Sequence, residues 1–413
     1  MPKILWSSNA PWCGTGYGAV TKEIVPRLKA QGHEVAIAAN YGLGGSTITW
    51  EDIPVFPSGI DGYSNDVLPG QIDSWIKGDD QGFAVILFDA WVYARNAALD
   101  QFPILAYAPV DHSPLPQGVS EFFRRPGLKI PLAMSQHGRG EFIKAGFSED
   151  RVLYAPHSIS RKIFTPEGSD MREKMLVPQD AHLTMINAAN KGNTPVRKCW
   201  GEMLSAWSAF AHRHPEAYLY IHSDASGMAN GVPLDRLLEA VKAPTDRVRV
   251  VPQYEYRMGI DSETVAALYR SADVLLATSR GEGFGIPVIE AQSCGVSAIV
   301  TEWTAQPELI GSGWIIPGQV EYDHLQGGWW KVPNVEAIIS ALEESFALKG
   351  DAVRSGQERE KAIIKAQGYE TDHVFREYWQ PALTRFAEII RESKTGPLNP
   401  NREQRRAALR RVK

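Results

Sequence analysis

Short apolar runs recur along the chain, most of them followed by a stretch whose apolar residues return every three or four positions. The runs at 3–6, 34–39, 84–88, 104–107, 132–134 and 152–154 read as strands. After the first comes a loop with Gly14, Gly16 and Gly18, then a helical stripe of Val20, Ile24 and Leu28 that stops at Gly32, which suits the position just past a helix. Pro26 inside the stripe predicts a kink or an early end, because proline removes a helix hydrogen bond and crowds the preceding turn. The pattern pauses near Pro166-Glu167-Gly168 and restarts, with strands at 183–187, 217–221, 248–251, 274–277 and 298–300 and a helix at 203–212. Asn334 can cap a helix running to about Leu348, and a last helix is predicted over 372–392, with Pro381 as its kink.

Alternating strands and helices predict α/β structure with parallel sheets covered on both faces. At 413 residues the chain exceeds one ordinary core, and the restart suggests two doubly wound, Rossmann-like domains facing across a cleft. The expected divisions are 1–168, 169–371, a helix at 372–392 crossing back to the first domain, and a basic tail at 393–413. Ligands of open α/β sheets bind beyond the carboxyl ends of the strands, so the cleft is where chemistry is expected.

Composition narrows the setting. Hydrophobic content of 44% and charged content of 22% are those of a soluble globular chain. No apolar run approaches the roughly 20 residues of a membrane helix, and no N-terminal stretch reads as a signal peptide. Cys13, Cys199 and Cys294 are too few and scattered for a disulfide framework or a metal site, which points to a reducing cytoplasm. A net charge of -5 argues against a chain built as a whole to bind polyanions. Six of the last twelve residues are nevertheless basic (Arg402, Arg405, Arg406, Arg410, Arg411 and Lys413). A solvated tail is the simpler reading of these, and contact with a nucleic-acid backbone the alternative.

The densest candidate chemistry is the stretch Thr278-Ser-Arg-Gly281-Glu282-Gly283-Phe284-Gly285-Ile286-Pro287-Val288-Ile289-Glu290-Ala291. Pro287 suits a first helical turn, so Gly283, Phe284 and Gly285 fall at a helix N-terminus, where free amides attract an anion. Glu282 and Glu290, eight residues apart, can each accept two hydroxyl hydrogen bonds, as a diol offers. In the first half, the loop holding Gly16 lies between a strand and a helix and reads as phosphate- or acceptor-facing. It lacks the third glycine and the acidic residue of a dinucleotide fingerprint. Asp111 and His112 follow a strand in a proline-rich turn, placed to orient an acceptor hydroxyl or contact a donor, with a plain turn as the alternative. Asp89 is a weaker candidate of the same kind. Trp12, Tyr17, Trp91 and Tyr93 are candidates for stacking on an acceptor ring, and His137 reads as structural.

The Glu282-to-Glu290 string resembles the E-x7-E signature of family-4 glycosyltransferases, retaining enzymes of the GT-B fold. The resemblance implies that Glu290 holds the nucleotide ribose, that Glu282 faces the transferred sugar, and that the amides between them contact sugar and phosphate. The stretch from Asn187 to Lys198 is similar to the family loop whose cations neutralise the donor pyrophosphate. Lys198 matches the family lysine, and either Arg197 or Lys191 stands in for the arginine. Pro156-His157-Ser158-Ile159-Ser160 resembles the interdomain P-H-G-V-D string, with serines in place of glycine and aspartate, and Ser135 resembles a position near the cleft. The family implies a nucleotide-sugar co-substrate (a UDP- or GDP-sugar), no metal or other cofactor, and front-face attack by the acceptor hydroxyl. The overall style of the chain resembles bacteriophage-encoded members, whose acceptors include virion proteins and hydroxymethylated DNA bases. A glycan acceptor, a sugar-nucleotide epimerase and a non-catalytic binding module are the other readings of this fold.

Overall fold

The computed structural model describes residues 1–192 and 196–395. Asn193, Thr194 and Pro195 of the cation-bearing loop, and the Arg-rich tail from residue 396 onward, lie outside the described residues.

The first sheet runs in the order Ile48–Trp50, Ile53–Phe56, Glu34–Tyr41, Lys3–Asn9, Phe83–Leu87, Ile104–Ala108, Lys129–Ala133, Leu153–Tyr154. Its pairs are parallel except the edge pair Ile48–Trp50 with Ile53–Phe56. The second runs Val248–Val250, Ala217–His222, His182–Asn187, Val274–Leu276, Ser297–Thr301, Gly313–Ile316, parallel throughout. Central strands such as Phe83–Leu87 and Ile104–Ala108 are buried along their whole length, which is why they read as unbroken apolar runs. In both sheets the chain starts mid-sheet, winds outward, then returns and winds the other way. The reversals lie beside Lys3–Asn9 and beside His182–Asn187, and such switch points open a crevice at the strand ends.

The first helix departs from expectation at its proline, while the last segment breaks beside its own as expected. The first runs from Gly16 to Ala30 and passes straight through Pro26, because Ile24, Val25 and Leu28 around it are buried in the core and hold the turn. The last segment comes in three pieces: Thr371–Val374, a wide π turn at Phe375–Trp379, and the helix Gln380–Thr395. The wide turn falls just before Pro381, where a regular helix would meet the missing N–H and the ring. It also places Trp379 against Trp6 and Tyr107, with ring centroids 5.5 and 5.0 Å apart, while Phe386 meets Phe83 at 5.1 Å. The end of the chain thus completes the core beneath the first sheet.

The sequence pattern gives no sign of the antiparallel hairpin Gly318–Asp323 with Gly328–Pro333. It stands outside the second sheet and reaches the first half of the chain. The Trp329 N–H donates to the Ser113 carbonyl at 2.8 Å, and the Gln117 N–H donates to the Gln326 carbonyl at 3.2 Å. Among the described residues, no helix is long and apolar enough to cross a membrane.

Because Trp379 is fully buried, Trp379→Ala should lower the unfolding free energy by about 3–5 kcal/mol, seen as an earlier urea midpoint. An unchanged midpoint would mean that the terminal segment does not hold the first sheet together.

Candidate functional site

Loops from both strand-order reversals converge in the cleft. Strand Val274–Leu276 feeds the segment that ends at Gly285, whose φ of +118° starts the helix Ile286–Ser293 with Pro287 in its first turn. A β-carbon on Gly281 would overlap the Asp111 carbonyl, and one on Gly283 would overlap Pro109. The two halves therefore touch backbone to backbone on either side of Glu282. Opposite this turn, Gly16 starts the first helix, and a β-carbon there would sit 3.4 Å from the Ile286 side chain.

Glu282 is the centre of a buried charge cluster. One carboxylate oxygen takes Arg197 at 2.7 Å, the other takes Lys198, and the Glu282 N–H donates to Thr304 Oγ1 at 2.9 Å. Burial alone would raise the Glu282 pKa, but Arg197 and Lys198 outweigh it and hold the group at about 2. Arg197 also lies 3.7 Å from Asp111. For Asp111, burial is again overcome, here by the His112 hydrogen bond and by Arg197, and its carboxyl stays below the usual range. Asp89, with Asp111 nearby and no direct cation contact, goes the other way: burial and the Asp111 charge push it up to about 6. Tyr17 joins this group, since its hydroxyl senses the charges of Asp89, Asp111 and Arg197. Of the two candidate stand-ins for the missing arginine, Arg197 reaches Glu282. Lys191 is exposed beside a backbone bridge to Ala229 and acts through space on Asp89.

Glu290 sits one turn into the helix Ile286–Ser293 and accepts a hydrogen bond from Tyr269 Oη at 2.9 Å, while Tyr269 accepts from Asn187 Nδ2 at 2.8 Å. Burial raises Glu290 to about 7, and with no cation beside it only the Tyr269 bond opposes that shift. The Phe284 ring is buried between His157 and Tyr369, leaving the cleft only its backbone.

Three expectations need correcting, while Ser135 keeps its place near the cleft. His112 has no free ring nitrogen to offer a ligand: Nδ1 lies 2.7 Å from Asp111 and Nε2 3.3 Å from Asp323, and Trp330 stacks on the ring at 4.7 Å. Asp323 and Trp330 belong to the hairpin, which no periodicity announced. Tyr93 is fully buried, its hydroxyl held by Asn40, so it cannot stack on an acceptor. Trp12 stays exposed, tied to the Gly42 carbonyl at 2.8 Å. Ser135 is buried and spends its hydroxyl capping the helix Gln136–Lys144, accepting from the Gly138 N–H at 3.0 Å. Pro26, as described above, neither ends nor interrupts the first helix.

The sequence also hid the seam between the halves. Glu308 caps the helix Gln136–Lys144 from across the cleft, accepting from the Gln136 and His137 amides at 2.9 and 2.5 Å. His137 in turn places Nε2 3.0 Å from the His112 carbonyl. His157 packs on Tyr107 and Phe284, and burial lowers its pKa to about 3.

Comparison with known proteins bears on the fold and on the second half of the chain. Residues 192–344 match the family model described as glycosyl transferases group 1. The D-inositol 3-phosphate glycosyltransferase of Actinosynnema mirum is 25% identical over 240 residues, 55% of this chain and 54% of that protein. The chain thus spans about half the length of this curated relative. Sucrose-phosphate synthase from Thermosynechococcus elongatus superposes with a TM-score of 0.69 at 16% identity, covering 96% of this chain and 100% of that one. The Anabaena protein HepE, solved with UDP and glucose, gives a TM-score of 0.61 at 15% identity over 93% of this chain and 99% of its own. Residues 192–344 are thus similar to group 1 glycosyl transferases, in a chain that has the GT-B fold.

Proposed function

We propose that the chain is a retaining glycosyltransferase that takes a nucleotide-sugar donor, of the UDP- or GDP-sugar class, and transfers the sugar to an acceptor hydroxyl without a metal. One observation carries this reading: Arg197 and Lys198 converge, largely buried, on the two oxygens of a single carboxylate at the carboxyl end of the second sheet. Glu282 there stands where an anion is needed, and a donor diphosphate would share the same two cations. Amides at the start of the helix Ile286–Ser293 add donors for phosphate oxygens. Glu290, as a carboxylate, accepts from both ribose hydroxyls. The neighbour solved with UDP and glucose supports a nucleotide and a sugar as the kind of ligand this fold accommodates.

In the proposed reaction the bond between the sugar's anomeric carbon and the diphosphate oxygen breaks, and the acceptor oxygen bonds to the same face. The acceptor proton passes to a phosphate oxygen. Arg197 and Lys198 offset the charge gathering on the diphosphate, and the ionised Glu282 and Asp111 offset the positive charge developing on the sugar. His112 is a positioning residue that holds Asp111. Asp89 and Tyr17 lie close enough to Asp111 and Arg197 to feel their charges, and in this reading they help to receive the acceptor. The first 168 residues are assigned to the acceptor and residues 169–371 to the donor.

A panel of UDP, GDP, ADP and dTDP and their sugars, read by thermal shift and by nucleotide release, tests this reading. One nucleotide family should stabilise the protein, with or without EDTA, and silence across the panel with folded protein would refute the proposal. Lys198→Ala should cut turnover about 10²–10³-fold, as loss of a transition-state cation does. Affinity for the nucleotide should rise from pH 6 to pH 8 as Glu290, at about 7, gives up its proton. Glu290→Gln should flatten that rise, and an equally steep profile in the variant would remove Glu290 from the ribose site.

A further inference from the structure

Next to the charge cluster, but separated from it by the His112 backbone, a groove of about 450 Å³ lies between the hairpin and the first half of the chain. Pro114, Leu115, Glu141, Lys144, Trp303 and Trp329 line it. We infer that this groove is a saccharide subsite that holds one or two neutral sugar rings of the acceptor. That purpose rests on the transferase reading, whereas the choice of ligand rests on the groove alone.

The walls are aromatic and fixed. Trp329 leaves 42% of its surface in solvent, and its ring is braced edge-on by Tyr322 at 5.1 Å. Trp303 donates from Nε1 to the Trp329 carbonyl at 3.2 Å and carries Lys331 over its ring at 5.1 Å. Rigid indoles lose little conformational freedom on binding, and a pyranose offers them an apolar C–H face. The rim of such a ring is hydroxyl-bearing, and the groove answers that need as well. The Glu141 side chain is only 2% exposed and is paired with Lys144 at 2.8 Å. A carboxylate so deep in an apolar wall is costly unless polar groups meet it, and it can accept from two hydroxyls at once. The Glu141–Lys144 pair is neutral overall, which fits an uncharged sugar better than a phosphate or an acidic peptide. The groove also borders the reaction centre: Ser113 follows His112, and Trp329 precedes the Trp330 ring that stacks on His112. A sugar in the groove would direct the rest of an acceptor toward Asp111.

Saturation-transfer NMR titrations with maltotriose, mannobiose and diacetylchitobiose, each also run with UDP present, test the inference on wild type, Trp329→Ala and Glu141→Gln. At least one saccharide should bind wild type and lose about tenfold in affinity, about 1.4 kcal/mol, in Trp329→Ala, with UDP binding unchanged. Glu141→Gln keeps the shape of the groove and should weaken the same saccharide, so it decides the matter if Trp329→Ala fails to fold. Absence of saccharide binding in wild type, or equal binding in the folded variants, would overturn the subsite. So would uptake of an apolar peptide in preference to every sugar. Saccharide binding without any nucleotide binding would instead keep the groove and sink the transferase reading.

Discussion

Gly281 and Gly283 allow the backbone of the second half to lie directly on Pro109 and Asp111 of the first, with no side chain between them. Most of the site follows from that approach. Glu282, flanked by the two glycines, is carried into a space from which water is largely excluded, with the half-buried Asp111 beside it. Buried carboxylates need partners, and Arg197 and Lys198 supply them. A larger residue at either glycine would separate the halves, admit water and leave the two cations without their fixed counter-ion.

The same chemistry then takes opposite values within one loop and helix. Glu282 and Glu290 are both deeply placed glutamates, yet one is held at about 2 and the other near 7. The difference is the neighbour: two cations in one case, a tyrosine hydroxyl in the other. Asp89 and Asp111 repeat the contrast across the cleft, with His112 and Arg197 supporting only Asp111. The site therefore combines groups that stay ionised at any ordinary pH with groups that titrate near neutrality.

The strands were legible because strands buried on both faces must be apolar, whereas their order in the two sheets was not. The turn from Thr278 to Glu290 was legible as a strand-to-helix turn because its glycines and Pro287 follow an apolar strand. The helix Ala352–Gln367 was not, since it buries little beyond Ala362 and Ala366 and so shows no apolar stripe. The hairpin was hidden for a related reason. Its strand Gly318–Asp323 is mostly exposed and packs on no core, so nothing forces its residues to alternate. What it contributes, Asp323 against His112 and Trp330 upon it, depends on distant parts of the chain meeting. Such pairings leave no local pattern, and the same holds for Glu308 on the helix Gln136–Lys144.

The terminal helix has a consequence for how such a chain can be recombined. Trp379 and Phe386 come late in the sequence but fill the core formed by Trp6, Phe83 and Tyr107. The halves are thus interleaved rather than strung in series. Evolution or an engineer could exchange the second half between relatives only as an internal cassette, leaving the helix Gln380–Thr395 with the half it supports. A single crossover near the middle would instead pair one parent's first sheet with the other parent's closing helix, and the side chains that meet in that core would no longer be matched.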